Sequence, residues 1–158
     1  MSLPDLRRLL SALVTAEVEF VVIGGIALGM HGLIRATEDL DIVPDPTDGN
    51  LERLARVLEA ERATLLLRPE RRFGPREAWA LRRGRNVSVA TPHGDVDLVR
   101  RLPGVPDYPA LVAAADRFEV DGMTIVVASP EQLTAMKQAR GSAQDQADVE
   151  ALRALDEI

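Results

Sequence analysis

Apolar residues along the chain fall into short runs of two periods, punctuated by glycine and proline. Leu6, Leu9, Leu10, Leu13 and Val14 recur at helical spacing, which predicts a helix over residues 5–17. Phe20-Val-Val-Ile23 is an unbroken apolar run of strand length and predicts a short buried strand, followed by a short helix from Ile26 to Leu33. Leu40 to Val43 predicts a second strand, stopped by Pro44 and Pro46, since proline cannot continue a ladder. Leu51, Leu54, Ala55, Val57 and Leu58 mark another amphipathic helix, with Asn50 as its expected cap.

Further along, Thr64 to Leu67 has strand character, while residues 68–86 show no clear period. Asn86 to Ala90 and Asp95 to Val99 read as strands around the turn Thr91-Pro-His-Gly94. Pro103-Gly-Val-Pro106 is a loop, Pro109 to Ala115 a short helix, and Phe118–Val120 with Thr124–Val127 flank the hairpin signal Asp121-Gly122. Ser129, Pro130 and Glu131 form a cap and first turn for a helix running to Arg140, and Gln144 to Leu155 is a last helix. There is no internal repeat or low-complexity segment. The pattern predicts an α+β fold: a mixed β-sheet flanked by helices, set on one side, with C-terminal helices forming a pair.

Composition narrows the classes. A chain of 158 residues suits one domain spanning 1–158, and the absence of cysteine excludes disulfides and thiolate metal sites. No apolar run is long enough for a bilayer span and the first residues lack signal-peptide character, so a cytoplasmic location is the expectation. A net charge of −6 argues against a protein that coats nucleic acid. Eighteen of the 19 basic residues are arginine, as a GC-rich coding sequence would give, so the single lysine, Lys137, stands out.

Candidate chemistry gathers between Phe20 and Val43. Asp39 and Asp41 stand two apart on a predicted strand and so share a face. Two adjacent carboxylates repel unless a proton or cation lies between them, and an all-oxygen donor set suits a hard divalent ion, Mg²⁺ by preference or Mn²⁺. Gly24-Gly25 precedes a helix, where backbone N–H groups approach a phosphate closely when no Cβ intervenes. Together they suggest a site for a metal and a nucleoside triphosphate.

Ile23-Gly24-Gly25, thirteen further residues and Asp39-Leu40-Asp41-Ile42 resemble the signature of the nucleotidyltransferase superfamily with the DNA-polymerase-beta-like core. Arg35-Ala-Thr37-Glu-Asp39-Leu-Asp41 looks more specifically like the bacterial branch of AbiEii-type abortive-infection toxins and minimal nucleotidyltransferases of toxin–antitoxin pairs. The resemblance runs through Asp148 and implies transfer of a nucleoside monophosphate from an NTP to a hydroxyl of RNA, such as tRNA, or of a protein. It also implies a cognate toxin or antitoxin as a partner. A third acid is required, and the resemblance favours Asp97 over Asp95 in Gly94-Asp-Val-Asp-Leu98. Asp39, Asp41 and Asp97 are thus the implied metal-binding and catalytic set. Gly24, Gly25, Arg35 and Lys137 are the candidates for the nucleotide; for Arg35 the alternatives are a brace for Asp39 or a surface position, and Thr37 reads as structural.

Lys137, Asp145 and Asp148 fall at intervals seen in relatives, but Ser142 and Gln144 occupy positions where relatives often carry Arg and Lys. Either Arg140 compensates or triphosphate binding is weak. That departure keeps a second class open: a non-catalytic nucleotide-binding or antitoxin-like module with a degenerate site. His31 and His93 have no ligand partners at metal spacing and read as incidental. Seven arginines between Arg68 and Arg85, interleaved with Phe73 and Trp79, read either as a solvated face or as a seat for RNA.

Overall fold

The computed structural model describes residues 1–33 and 37–156. In chain order the elements are α1 (Leu3–Thr15), β1 (Phe20–Ile23), α2 (Gly24–Met30), β2 (Asp39–Pro44), α3 (Asp48–Ala60), β3 (Thr64–Leu65), β4 (Arg68–Arg72), α4 (Pro75–Arg82), β5 (Val87–Thr91), β6 (Gly94–Leu98), α5 (Tyr108–Ala114), β7 (Asp116–Val120), β8 (Met123–Val127), α6 (Pro130–Arg140) and α7 (Ala143–Asp156). The strands form one eight-stranded sheet in the order β4-β3-β5-β6-β2-β1-β8-β7. It is mixed: β1 pairs with β8 and β2 with β6 in parallel, and the remaining pairs are antiparallel. The expected α+β architecture is therefore present.

β1 is buried at every position, which explains why it is apolar throughout rather than alternating. Val21, Val22, Leu40, Ile42, Val89 and Leu98 are all fully buried, each contributing about 1.5–3 kcal/mol relative to exposure. Leu9, Leu10 and Leu13 of α1 and Leu51, Leu54 and Leu58 of α3 complete the same core.

Local signals act as expected at several junctions. Asp121 and Gly122 both take positive φ, 50° and 79°, as the tight β7–β8 hairpin turn requires. The Ser129 hydroxyl accepts from Gln132 N while the Gln132 side chain accepts from Ser129 N, a reciprocal cap at the start of α6.

Asn50 behaves differently from its expected role. The cap of α3 is Thr47, and Asn50 lies buried in the first turn of the helix. Its amide instead accepts from Glu19 N and donates to the carbonyls of Glu19 and Asp45, tying α3 to the chain entering β1. The segment without a period, 68–86, contains β4 and α4. β4 is an edge strand, with four of its five residues exposed and the other only half-buried, so no alternation is imposed on it.

Candidate active site

The β2–β6 pairing builds the site. Its parallel register sets Asp41 beside Asp97 and Asp39 beside Asp95, and aligned residues on neighbouring strands project from the same face. Carboxylate oxygens of Asp39, Asp41 and Asp97 all lie within 4.8 Å of one another, the only such acidic group among the described residues. Asp95, at the hairpin end of β6, is not part of it.

These carboxylates are costly where they stand. Burial, then the neighbouring Asp97 and Asp39, push the Asp41 carboxyl up to about 8. Asp39 is raised too, first by burial and then by Asp97. Asp41 Oδ1 is buried without a hydrogen-bond partner. An orphaned buried oxygen in a cluster of three acids is what a divalent cation would satisfy, and the donor set is all oxygen, so the residues fit Mg²⁺ or Mn²⁺.

Gly24 makes the packing of Asp41 possible. Its φ is +71°, and a Cβ there would stand 2.0 Å from Asp41 Oδ2. Both space and backbone conformation therefore require glycine. Gly25 has a different neighbour: a Cβ would meet Thr37 Cγ2 at 2.1 Å. Thr37 thus closes over the start of α2, a structural role.

Asp39, Asp41, Asp97, Gly24 and Lys137 line one cavity of about 280 Å³. The structure brings together five of the seven expected site residues; Gly25, packed against Thr37, is not part of the cavity's lining and Arg35 falls outside the described residues. A wall of Val99, Leu102, Val105, Leu133 and Met136 faces the acids, and Arg140 joins Lys137 on the α6 side. Leu102 and Val105 belong to the loop after β6, whose only sequence signal is its two prolines.

Lys137 is no ordinary solvated lysine. It is buried, with Nζ 3.4 Å from Asp145 Oδ1 and 3.2 Å from Asp148 Oδ2. Asp145 is fully buried and accepts from Arg140 Nε at 2.8 Å, Arg140 Nη2 at 2.6 Å, Ser142 N and the Ser142 hydroxyl. The Arg140 bonds, ahead of those from Ser142, hold its carboxyl well below the usual carboxylate range. Gln144 donates to Asp148 Oδ1. The two positions that depart from the resembling family are thus bonded to the acids that neutralise Lys137.

Elsewhere, His31 Nε2 lies 2.8 Å from the Ala128 carbonyl and its ring stands edge-on to Phe118, while His93 Nδ1 is 2.9 Å from Asp5 Oδ1. Both brace the fold away from the acids.

No protein-family model matches the sequence, and no curated protein matches it. Solved structures do. The lincosamide antibiotic adenylyltransferase LnuA, in its lincomycin-bound crystal structure, superposes with a TM-score of 0.67 at 13% identity, covering 98% of each chain. A putative nucleotidyltransferase from Thermotoga maritima gives 0.54 at 19% identity over 100% of this chain and 97% of that one. The chain has the nucleotidyltransferase fold. An antigenic nucleotidyltransferase-like protein from Paracoccidioides brasiliensis, at 0.57 and 20% identity over 98% of this chain and 77% of its own, shares it as well. In this nucleotidyltransferase fold the three-acid cluster sits on the central strands β2 and β6, beside the glycine turn that joins β1 to α2.

Proposed function

We propose that the protein is a metal-dependent nucleotidyltransferase, moving an NMP from an NTP to an acceptor hydroxyl with release of pyrophosphate. The observation that carries this is the trio Asp39, Asp41 and Asp97, clustered within 4.8 Å around a buried, unpartnered carboxylate oxygen. Asp39, Asp41 and Asp97 would hold the divalent metal, which supplies charge neutralisation and alignment of the triphosphate. Asp97 would take the acceptor's proton as its oxygen bonds to the α-phosphorus and the bond to the pyrophosphate oxygen breaks. The backbone at Gly24 and Gly25, Arg35 and Lys137 would hold phosphate oxygens.

Charge around the cavity supports the metal requirement. Lys137 and Arg140 are offset by Asp145 and Asp148, leaving the negative charge of the acid trio uncompensated. A triphosphate without metal meets like charge there.

For the acceptor we propose an RNA end. Arg82, Arg83 and Arg85 are exposed, Trp79 is 54% exposed, and the Arg83 guanidinium lies over its ring at 5.3 Å. Asn86 Oδ1 accepts from Arg100 N and Arg101 N, and its Nδ2 donates to Arg101 O, joining this patch to the loop that walls the cavity. A second reading, a small hydroxyl-bearing molecule, draws support from the apolar wall Val99, Leu102, Val105, Leu133 and Met136 and from the lincomycin-bound neighbour. The resemblance to the AbiEii-type branch supports a protein toxin or antitoxin as partner. Incubating α-labelled NTPs and Mg²⁺ with fractionated RNA, protein and small-molecule extract tests these readings together. Label in RNA is the expected result; label in no fraction, with no pyrophosphate released, would overturn the transferase reading.

A further inference from the structure

The two edges of the sheet differ in what they offer another chain. β4 reads Arg-Pro-Glu-Arg-Arg, where the proline removes a ladder donor and the arginines outnumber the one acid. β7, at the opposite edge, reads Asp-Arg-Phe-Glu-Val, and among the described residues nothing hydrogen-bonds to its outer backbone. The hairpin decides which residues face that edge. Val120 and Met123 flank the two-residue turn Asp121-Gly122, and such a flanking pair exchanges both backbone bonds. Alternation along the ladder makes Phe118 and Ile125 the next bonded pair and turns the N–H and C=O of Arg117 and Glu119 outward.

A second β7 lying antiparallel against this edge must oppose outward-facing residues to one another. Centred on Arg117 or on Glu119, that pairing sets like charges face to face. Centred on Phe118, it sets Arg117 opposite Glu119 of the second copy, and Glu119 opposite its Arg117, each pair exchanging both backbone bonds. Both side chains are exposed, and among the described residues Arg117 has no ion pair. Glu119 Oε1 accepts from the Thr124 hydroxyl at 2.6 Å, which holds the carboxylate on its face of the strand and leaves Oε2 for a partner. On the other face, half-buried Phe118, steadied edge-on against His31, would meet its own counterpart. Opposite-charge and aromatic cross-strand pairs both stabilise a sheet.

We propose that the chain pairs with a second copy of itself through β7, antiparallel about Phe118, so that the two sheets become one. The charge order of the edge is self-complementary under that two-fold operation, which makes another copy of this chain the partner it fits. The pairing stands apart from the transferase reading, because β1 and β8 lie between β7 and the strands that carry the acids.

Sedimentation velocity over about two decades of micromolar concentration tests it on wild type, Arg117→Glu, Glu119→Arg and the double exchange. Wild type should dimerise. Each single exchange opposes like charges and should weaken the dimer about ten- to a hundredfold. The double exchange restores the opposition of charges and should return the dimer to within about threefold of wild type. An equimolar mixture of the two single variants should form a heterodimer, since one then carries only acids and the other only arginines at these positions. Both side chains are exposed, so melting profiles of the variants at low concentration should match wild type. A wild-type chain that stays monomeric throughout would overturn the proposal. So would a dimer that the single exchanges leave intact, or one that they weaken without recovery in the double exchange and the mixture.

Discussion

Two strand regions of this sheet are rich in charge and use it in opposite ways. β2 and β6 lie at the centre, and their Asp39, Asp41 and Asp97 alternate with fully or nearly fully buried Leu40, Ile42 and Val96. β4, Arg-Pro-Glu-Arg-Arg, lies at the edge, open to water. At the edge, charge costs little; arginines and a proline also discourage another chain from pairing there. In the centre each carboxylate loses hydration and repels its neighbours, visible in the raised Asp41 and Asp39 and in the orphaned Asp41 oxygen. A charge retained where it destabilises points to a ligand that reverses the cost. A charge retained where it is cheap needs an additional observation, such as Trp79 beneath Arg83, before it points anywhere.

The largest expected effect comes from the centre. Asp41→Asn should lower NMP transfer by on the order of a thousandfold. It should nevertheless raise the melting temperature of the metal-free protein by about 2–4 °C per kcal/mol of relieved repulsion. A variant both inactive and less stable than wild type would remove the contrast between centre and edge.

Proton linkage follows from the same residue. Asp41 ionises near 3.8 in the unfolded chain and near 8 in the fold. Between these values the unfolded state releases a proton that the folded state keeps, so metal-free stability should fall as pH rises through the window. Denaturant titrations at several pH values, without metal, should show this fall in wild type and flatten it in Asp41→Asn. Metal binding needs the ionised carboxylates, so Mn²⁺ affinity should run the other way, rising with pH until about 8. An equal slope in both proteins would assign the linkage to other groups.

Gly24→Ala should have an intermediate effect. The new Cβ would collide with the Asp41 carboxylate, and the left-handed backbone adds about 1–2 kcal/mol of strain. Reduced thermal stability together with weakened Mn²⁺ binding is expected; wild-type Mn²⁺ affinity would show that Asp41 has room to move.

At the end of α4 and the turn that follows it, where charge is likewise open to water, the triple change of Arg82, Arg83 and Arg85 to alanine should leave folding stability within about 0.5 kcal/mol, as exposed substitutions usually do. It should flatten the salt dependence of RNA binding by roughly 0.7 in log–log slope for each phosphate that is no longer neutralised. RNA binding with an unchanged slope would make the arginines a solvated face only.

The same contrast explains what the sequence disclosed. Where burial is complete, composition is constrained: the Phe20–Ile23 and Leu40–Val43 runs mark strands that the structure contains, and the local signals at the Ser129 cap and the Asp121-Gly122 hairpin turn mark the junctions they predicted. β4 and α4 escaped because an exposed edge strand and an eight-residue helix with two buried positions leave no period. Asn50 looked like a cap because its partner Glu19 is far away in sequence. The spacing of Lys137, Asp145 and Asp148 was legible, but their mutual neutralisation was not, because it depends on the reversal at Gly141 that folds α7 back on α6. The apolar wall from Val99 to Val105 joins the site only through the β6 register.

The central claim is that Asp39, Asp41 and Asp97 hold a divalent metal that a nucleoside triphosphate completes. Electron paramagnetic resonance of added Mn²⁺, with and without a non-hydrolysable NTP, measures it directly in wild type and Asp41→Asn. The account predicts Mn²⁺ binding by wild type that tightens when the triphosphate is present, and neither binding nor tightening in Asp41→Asn. Identical Mn²⁺ titrations for the two proteins, insensitive to triphosphate, would contradict it.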